Sequence, residues 1–320
     1  MILAGLLAFA VSAVVVRLLI TRSVANLFLD HPNERSLHAR PVPRTGGLGI
    51  LAGIGCAIAW LVPGTAMLLL GAGVLAAVSV IDDWRSLPAL VRLLAHLAVC
   101  VAFLVLAVPG LSMPSLVLLA LATGWLTNLY NFMDGMDGLA GGMGVIGFAA
   151  YGAAGWLGGD TTIAAASFAV AGGALGFLLF NFSPARVFMG DVGSIPLGFL
   201  AAAVGVLGWS RGLWPLWFPV VVFAPFVVDA SVTLVRRALG REKVWRAHRS
   251  HYYQRLVLMG WSHRRTALFE YALMLAGAAI ALLAARLNPP GQLAVLVILA
   301  MTYALAMVAV DRRWRVRREA

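Results

Sequence analysis

The chain has 320 residues, 62% of them hydrophobic and only 12% charged, with 24 Lys and Arg against 13 Asp and Glu for a formal net charge of +11. Soluble domains carry roughly 25% charged residues, so this composition, with a mean hydropathy of +0.92, excludes an ordinary soluble domain and indicates an all-α polytopic membrane protein. Cys56 and Cys100 both lie inside apolar runs, which favours packing over disulfide or metal roles.

A helix that crosses the hydrocarbon takes about 20 apolar residues. In chain order the apolar runs fall at 2–20, 46–62, 66–81, 89–108, 112–130, 139–157, 161–180, 194–210, 213–235, 264–286 and 291–310, which predicts about eleven transmembrane helices in a single domain over 1–320. Runs of this length exclude a β-barrel. The first run has no basic residue before it and no small-residue cleavage site after it, so it reads as a retained helix.

When the connections are numbered alternately, nearly all the cations fall on one side. They are Arg22, Arg35, Arg40 and Arg44 after the first run, Arg85 and Arg92 after the third, and Arg186 after the seventh. The segment after the ninth run carries a further group from Arg236 to Arg265, and the tail adds Arg312 to Arg318. The opposite loops have only Arg211 and Arg286. The positive-inside rule then puts the N-terminus outside and the C-terminus in the cytoplasm. The positive charge belongs to that face and its anionic lipid, and with no recognition module beside it nucleic acid is not an expected partner.

Acids are scarce, yet Asp82, Asp83, Asp134, Asp137, Asp191 and Asp229 sit at or near the ends of apolar runs, all on the cationic side. A carboxylate beside lipid is costly unless it is paired, solvated or bound to a cation, so the default reading is a functional site. Asp82-Asp83 places like charges side by side, which raises the proton affinity of each unless a cation intervenes. Mg²⁺ is the economical cation, because it takes oxygen ligands and shares its shell with substrate phosphates; Mn²⁺ is its substitute.

Asn131-Phe132-Met133-Asp134-Gly135-Met136-Asp137-Gly138 presents two Asp-Gly pairs in a tight turn, and lacks the further acids of an EF-hand. The stretch from Asn181 through Phe188-Met189-Gly190-Asp191 to Ser194 repeats the design. Asp191 and Ser194 are plain helix caps, or the helix start offers amides to an anion, and Phe188 supplies a face for a planar ring. His248, Arg249 and His251 share a helical face if their segment is helical, and suit phosphate oxygens better than zinc. Asp229 is neutral, paired or functional; Glu270 is expected to pair with a nearby Arg, and His96 is left to packing. Gly46-Gly47-Leu48-Gly49 follows no strand and is no dinucleotide fingerprint. The site loops are therefore 21–45, 82–92, 128–138, 181–193 and 236–263.

These segments together resemble the polyprenyl-phosphate N-acetylhexosamine-1-phosphate transferases, over nearly the whole chain. The resemblance rests on Arg35-Ser36-Leu37-His38 to Gly46-Gly47, Asp82-Asp83, Asn131 to Gly138, Phe188-Met189-Gly190-Asp191 and His248-Arg249-Ser250-His251. It implies that Asp191 binds Mg²⁺ with Asp82 and Asp83 near the metal and the acceptor. It also implies that Asn131, Asp134, Asp137, Asn181 and Phe188 hold the nucleotide, that His248, Arg249 and His251 contact diphosphate or sugar, and that Arg44 and Arg92 meet the lipid phosphate. The histidine segment departs from the three consecutive histidines of the peptidoglycan translocase and is similar to the O-antigen and enterobacterial common antigen branch.

The implied partners are a UDP-N-acetylaminosugar, undecaprenyl phosphate and membrane lipid, in the bacterial inner membrane with a cytoplasmic active site; a homodimer is left open. The implied reaction is direct displacement with release of UMP, an aspartyl-phosphate route through Asp83 being the variant. Competing readings are a CDP-alcohol phosphatidyltransferase, which the absence of an Ala-Arg and further acids after Gly138 opposes, and a cation-coupled transporter, which would place its acids near mid-bilayer.

Overall fold

The computed structural model of the chain describes residues 1–21, 29–32, 36, 37, 40–243 and 248–319. The sequence readings on Arg22, Arg35, His38 and Trp245-Arg246-Ala247 lie outside the described residues.

Every apolar run becomes helix: α1 (Ile2–Thr21), α2 (Gly46–Leu61), α3 (Ala66–Arg85), α4 (Ala89–Ala107), α5 (Met113–Phe132), α6 (Leu139–Leu157), α7 (Thr161–Asn181) and α8 (Asp191–Ser210) come first. The ninth run divides into α9 (Phe218–Val222) and α10 (Ala224–Leu239). Pro225 lies in the first turn of α10, where its missing N–H and its ring's clash with the carbonyl four residues back forbid one continuous helix. The short α11 (Tyr252–Leu258) is followed by α12 (His263–Ala284) and α13 (Pro289–Glu319).

Among the described residues nine helices are long and apolar enough to cross a bilayer. At 16 residues α2 is shorter than these, spanning about 24 Å. The protein is thus an all-helical, multi-pass membrane protein. One small feature departs from pure helix: Leu29 pairs with Pro43 and Asp30 with Val42 in a two-residue antiparallel ribbon, β1 (Leu29–Asp30) and β2 (Val42–Pro43).

In lipid, helices gain little from burying apolar surface against one another, so close approach of small residues carries the packing. A Cβ at Gly172 of α7 would lie 2.1 Å from the Gly5 carbonyl oxygen of α1, and one at Gly53 of α2 would lie 2.4 Å from that of Ala8. These three helices therefore touch backbone to backbone. Helix α8 is buried along nearly its whole length and forms the axis of the bundle, packed on α3 and α5. The apolar stretch of α13, by contrast, is unburied by protein. Two helix ends differ from the sequence expectation: α3 runs on through Arg85, so Asp82 and Asp83 occupy its last turn, and α8 begins at Asp191 rather than at Ser194.

Candidate active site

A cavity of about 280 Å³ opens where α5, α8, α11 and the first loop meet, with Asp134, Asp137, Asp191, Phe188, Arg44 and His248 on its walls. The chain makes it with turns at helix ends. After α5 the Asp-Gly-Met-Asp-Gly turn enters α6 through Gly138, whose φ of +76° is in the left-handed region that a side chain disfavours. Gly190, at φ +71°, does the same before α8. Asp191 is the first residue of α8, where the positive end of the helix dipole favours a carboxylate.

The N-termini of α2 and α8 abut, since a Cβ at Gly47 would lie 2.4 Å from the Gly193 nitrogen. The Gly46 and Gly47 amides donate to the carbonyls of Phe188 and Met189, each at 2.9 Å, and the Phe188 amide donates to that of Pro43 at 2.7 Å. This seam carries Arg44 to the cavity wall beside Phe188.

Asn131 donates its amide N–H groups to Asp191 Oδ1 and Ser194 Oγ, both at 2.8 Å, and so locks the end of α5 to the start of α8. Burial, with the negative charges of Asp191 and Asp30 added, pushes the Asp134 carboxyl well above the usual carboxylate range, although the Gly190 amide donates to it. Burial alone would raise Asp137 too, but His263 at 3.2 Å and the Ala185 amide at 3.1 Å hold it below its ordinary value. Asp83 is not on the cavity wall, but it feels the charges of Arg44 and Asp191 at that wall and of its neighbour Asp82.

The two histidines have opposite faces available. A backbone N–H can only donate, so the Ser250 amide at 3.3 Å from His248 Nδ1 leaves the His248 proton on Nε2. Burial first, then the charges of His251 and Arg237, lower the His248 pKa to about 4. At neutral pH it is therefore a neutral hydrogen-bond donor. His251 points its Nδ1 at Asp229 Oδ1, 3.1 Å away, which leaves Nε2 as the acceptor when the ring is neutral. The rings lie 4.8 Å apart between centroids.

A family model described as glycosyl transferase family 4 matches residues 65–208. A probable undecaprenyl-phosphate N-acetylglucosaminyl 1-phosphate transferase of Bacillus subtilis is 30% identical over 289 residues, covering 82% of this chain and 80% of the relative. The chain belongs to glycosyl transferase family 4. Within that family, the decaprenyl-phosphate N-acetylglucosaminephosphotransferase of Mycobacterium tuberculosis is 31% identical over 305 residues, 80% of this chain and 74% of its own. A phospho-N-acetylmuramoyl-pentapeptide-transferase of Listeria monocytogenes is 34% identical over 158 residues, 48% of this chain and 47% of its own. Membership in this family of polyprenyl-phosphate hexosamine-1-phosphate transferases displaces the CDP-alcohol and transporter readings.

Several residues expected at the family 4 site have other positions. Asp82 is not on the cavity wall: it accepts from Arg92 and from the Leu87 amide, at 2.7 and 2.8 Å, so Arg92 too is engaged within the protein. Asn181 is buried and staples two loops, accepting from the Gly138 amide and donating to the Val187 carbonyl, each at 2.9 Å, and it is not on the cavity wall. His251 is buried behind His248, and Arg249 is exposed and off the wall. Asp229 is not on the wall of this cavity. It accepts the amides of Tyr252 and Tyr253, at 2.9 and 3.0 Å, as well as His251, and fixes the start of α11. Glu270 has no arginine partner among the described residues, contrary to expectation.

Asp30, Tyr253, Gln254 and His263 line the cavity and were not singled out from the sequence. His263 had a readable signal, being a histidine at the first residue of a helix on the cationic side. Asp30 sits in a two-residue ribbon too short to leave a pattern.

The donor set suits a hard divalent cation. Among the described residues no three acidic, histidine or cysteine side chains converge as an all-protein metal cage. Mg²⁺ requires none, because one or two carboxylates, waters and substrate phosphates complete its shell. Asp191 and Asp134, crowded by like charge, are carboxylates that such an ion would relieve.

Proposed function

We propose that the protein transfers N-acetylglucosamine 1-phosphate from UDP-N-acetylglucosamine to undecaprenyl phosphate, releasing UMP, and so starts a lipid-linked cell-surface polysaccharide. The observation that carries the reading is the single cavity joining an acid cluster, an aromatic face, Arg44 and a histidine donor at one end of a membrane bundle. A soluble nucleotide and a membrane-held phosphate can meet only at such a boundary. The family relationship supports the reaction class, and the relatives named for N-acetylglucosamine match far more of the chain than does the muramoyl-pentapeptide enzyme.

In this proposal the N-terminus faces outward and the C-terminus, the arginine-rich connections and the cavity face the cytoplasm of a bacterial inner membrane. A phosphate monoester has a second pKa of about 6, so the acceptor is mainly dianionic at neutral pH and needs little help from a base. Its oxygen attacks the β-phosphorus of the UDP-sugar, a new P–O bond forms, and the bond to the α-phosphate oxygen breaks to release UMP. Catalysis of such a transfer is mostly positioning and charge neutralisation.

Arg44 offsets phosphate charge at the wall, Phe188 offers its face to the uracil, and His248 donates its Nε2–H to a phosphate oxygen. Asn131 holds Asp191 in place for a divalent ion. Mg²⁺, when bound there, supplies charge neutralisation of the diphosphate. In this reading Asp83 steers the acceptor through its charge; a covalent route through it is the second variant.

The test is direct. Membranes containing the protein are incubated with undecaprenyl phosphate and radiolabelled UDP-N-acetylglucosamine, UDP-N-acetylgalactosamine or UDP-N-acetylmuramoyl-pentapeptide. The proposal requires UMP and lipid-linked product in equal amounts from the first; product only from the muramoyl substrate would overturn the sugar assignment, and product from none would overturn the reaction.

A further inference from the structure

Helix α13 is tied to the rest of the protein at its two ends. At one, Trp217 donates to Gln292 at 3.0 Å. At the other, Asp311 accepts from Arg255 at 2.7 Å and also pairs with Arg236, and Arg317 donates to the Met259 carbonyl at 2.6 Å. Between these ties α13 stands away from α12, and a mainly apolar cleft of about 650 Å³ separates them. Deep in the cleft the walls are Gly277, Ile280 and Leu299; at its mouth stand Arg313 and Arg317.

Two observations point to one kind of occupant. An apolar cleft of this size inside a bilayer takes up hydrocarbon. Arg313, exposed at the mouth, makes no hydrogen bond or ion pair among the described residues, and with Arg317 it forms a cationic pair on one helix face. Partway down, Glu270 is only 8% exposed and lines the cleft with no hydrogen-bond or ion-pair partner among the described residues, close to Tyr303. Tyr303 lies ten residues, about 15 Å, from Arg313 along the helix, a depth that the acyl chains of a lipid with its phosphate at the mouth would occupy.

We propose that this cleft is a binding site for an anionic phospholipid, with its phosphate on Arg313 and Arg317, its glycerol ester region just inside the mouth, and an acyl chain running past Tyr303 over Ile280 and Leu299. The occupant is not the acceptor substrate. Helix α11 separates the cleft from the active cavity: Tyr252 lines the cleft, and the next residue, Tyr253, lines the cavity. A phosphate on Arg313 is on the wrong side of that helix to react. The lipid fills the gap behind the helix that carries the His251–Asp229 contact, and Asp311 connects the two through Arg255. This site is independent of which sugar the enzyme uses.

The test uses the full-length protein in detergent, stripped of lipid and then exposed to mixed micelles of equal phosphatidylglycerol and phosphatidylcholine. Lipid retained per chain is measured by mass spectrometry. Phosphatidylglycerol should be retained over phosphatidylcholine by about tenfold, on the attraction expected of two arginines near a membrane surface. Arg313→Gln, which breaks no hydrogen bond or ion pair among the described residues, should cut that preference several-fold, and Ala306→Phe, which fills the cleft, should reduce retention of both lipids while leaving UMP release measurable. Equal retention of the two lipids, or a preference unchanged in both variants, would overturn the proposal. So would displacement of retained phosphatidylglycerol by stoichiometric undecaprenyl phosphate, because the cleft would then belong to the acceptor.

Discussion

His251 Nδ1 lies 3.1 Å from Asp229 Oδ1, and the carboxylate that orients this ring also accepts the amides of Tyr252 and Tyr253. One buried aspartate thus caps α11 and fixes the tautomer of the histidine behind the active cavity. Asp229→Asn keeps the size but turns one acceptor into a donor facing an N–H. The variant should lose about 1–3 kcal/mol of stability and most of its turnover. Thermal unfolding in detergent and initial rates of UMP release check both.

His248 gives a pH prediction. Its pKa falls from an unfolded value near 6.5 to about 4 because burial and the His251 and Arg237 charges disfavour the cation. The neutral form is favoured on folding, so this contribution is fully present above pH 6.5 and is lost as pH drops from there toward 4. Turnover should show no acidic limb from His248 between pH 6 and 8. Replacement by Gln, which keeps an N–H donor, should retain far more activity than replacement by Ala; equal loss in the two variants would show that the donor is not used.

Asp137 works in the other direction. Burial raises its pKa, but His263 and the Ala185 amide outweigh that and depress it. Its stabilising contribution is present above the unfolded carboxylate pKa and disappears as pH falls through the lower folded value. His263→Ala removes the main stabilising partner, so its loss of thermal stability relative to wild type should disappear once the pH is low enough to protonate Asp137. A difference that persists undiminished with Asp137 protonated would contradict the assignment.

Much of the fold was legible because hydrocarbon leaves the chain few choices: each apolar run had to become a helix. Helix ends were less legible. Asp82, Asp83 and Asp191 look like loop residues in sequence, yet each fits inside a terminal turn, where its neighbours can satisfy it. The break between α9 and α10 had a signal in Pro219 and Pro225 that overall hydropathy hides. The acids of the cavity were visible by their scarcity, but the division of labour among them was not. That Asp82 is engaged with Arg92, Asn181 with two backbones and Asp229 with α11 depends on contacts set by the folded chain, and that Glu270 has no arginine partner among the described residues is invisible for the same reason.

Asn181 and Arg92 distinguish support from contact. Asn181→Ala removes two buried hydrogen bonds between site loops and should cost about 1–3 kcal/mol of stability, while KM for the UDP-sugar in the folded fraction stays within twofold. The Arg92–Asp82 pair is partly exposed, and a double-mutant cycle on stability should give a coupling of about 0.2–1 kcal/mol. A selective rise in the undecaprenyl phosphate KM for Arg92→Gln, with stability unchanged, would instead make Arg92 a substrate contact.

The most direct test is Asp191→Asn. Its amide can still meet Asn131 and keep the α5–α8 junction, but it removes the negative charge offered to a divalent ion. The variant should fold, bind Mn²⁺ at least tenfold more weakly by electron paramagnetic resonance titration, and release UMP at under about one hundredth of the wild-type rate, a loss on the scale of a key electrostatic group. Wild-type turnover with wild-type Mn²⁺ binding would contradict the account of this cavity as a metal-assisted phosphosugar transfer site.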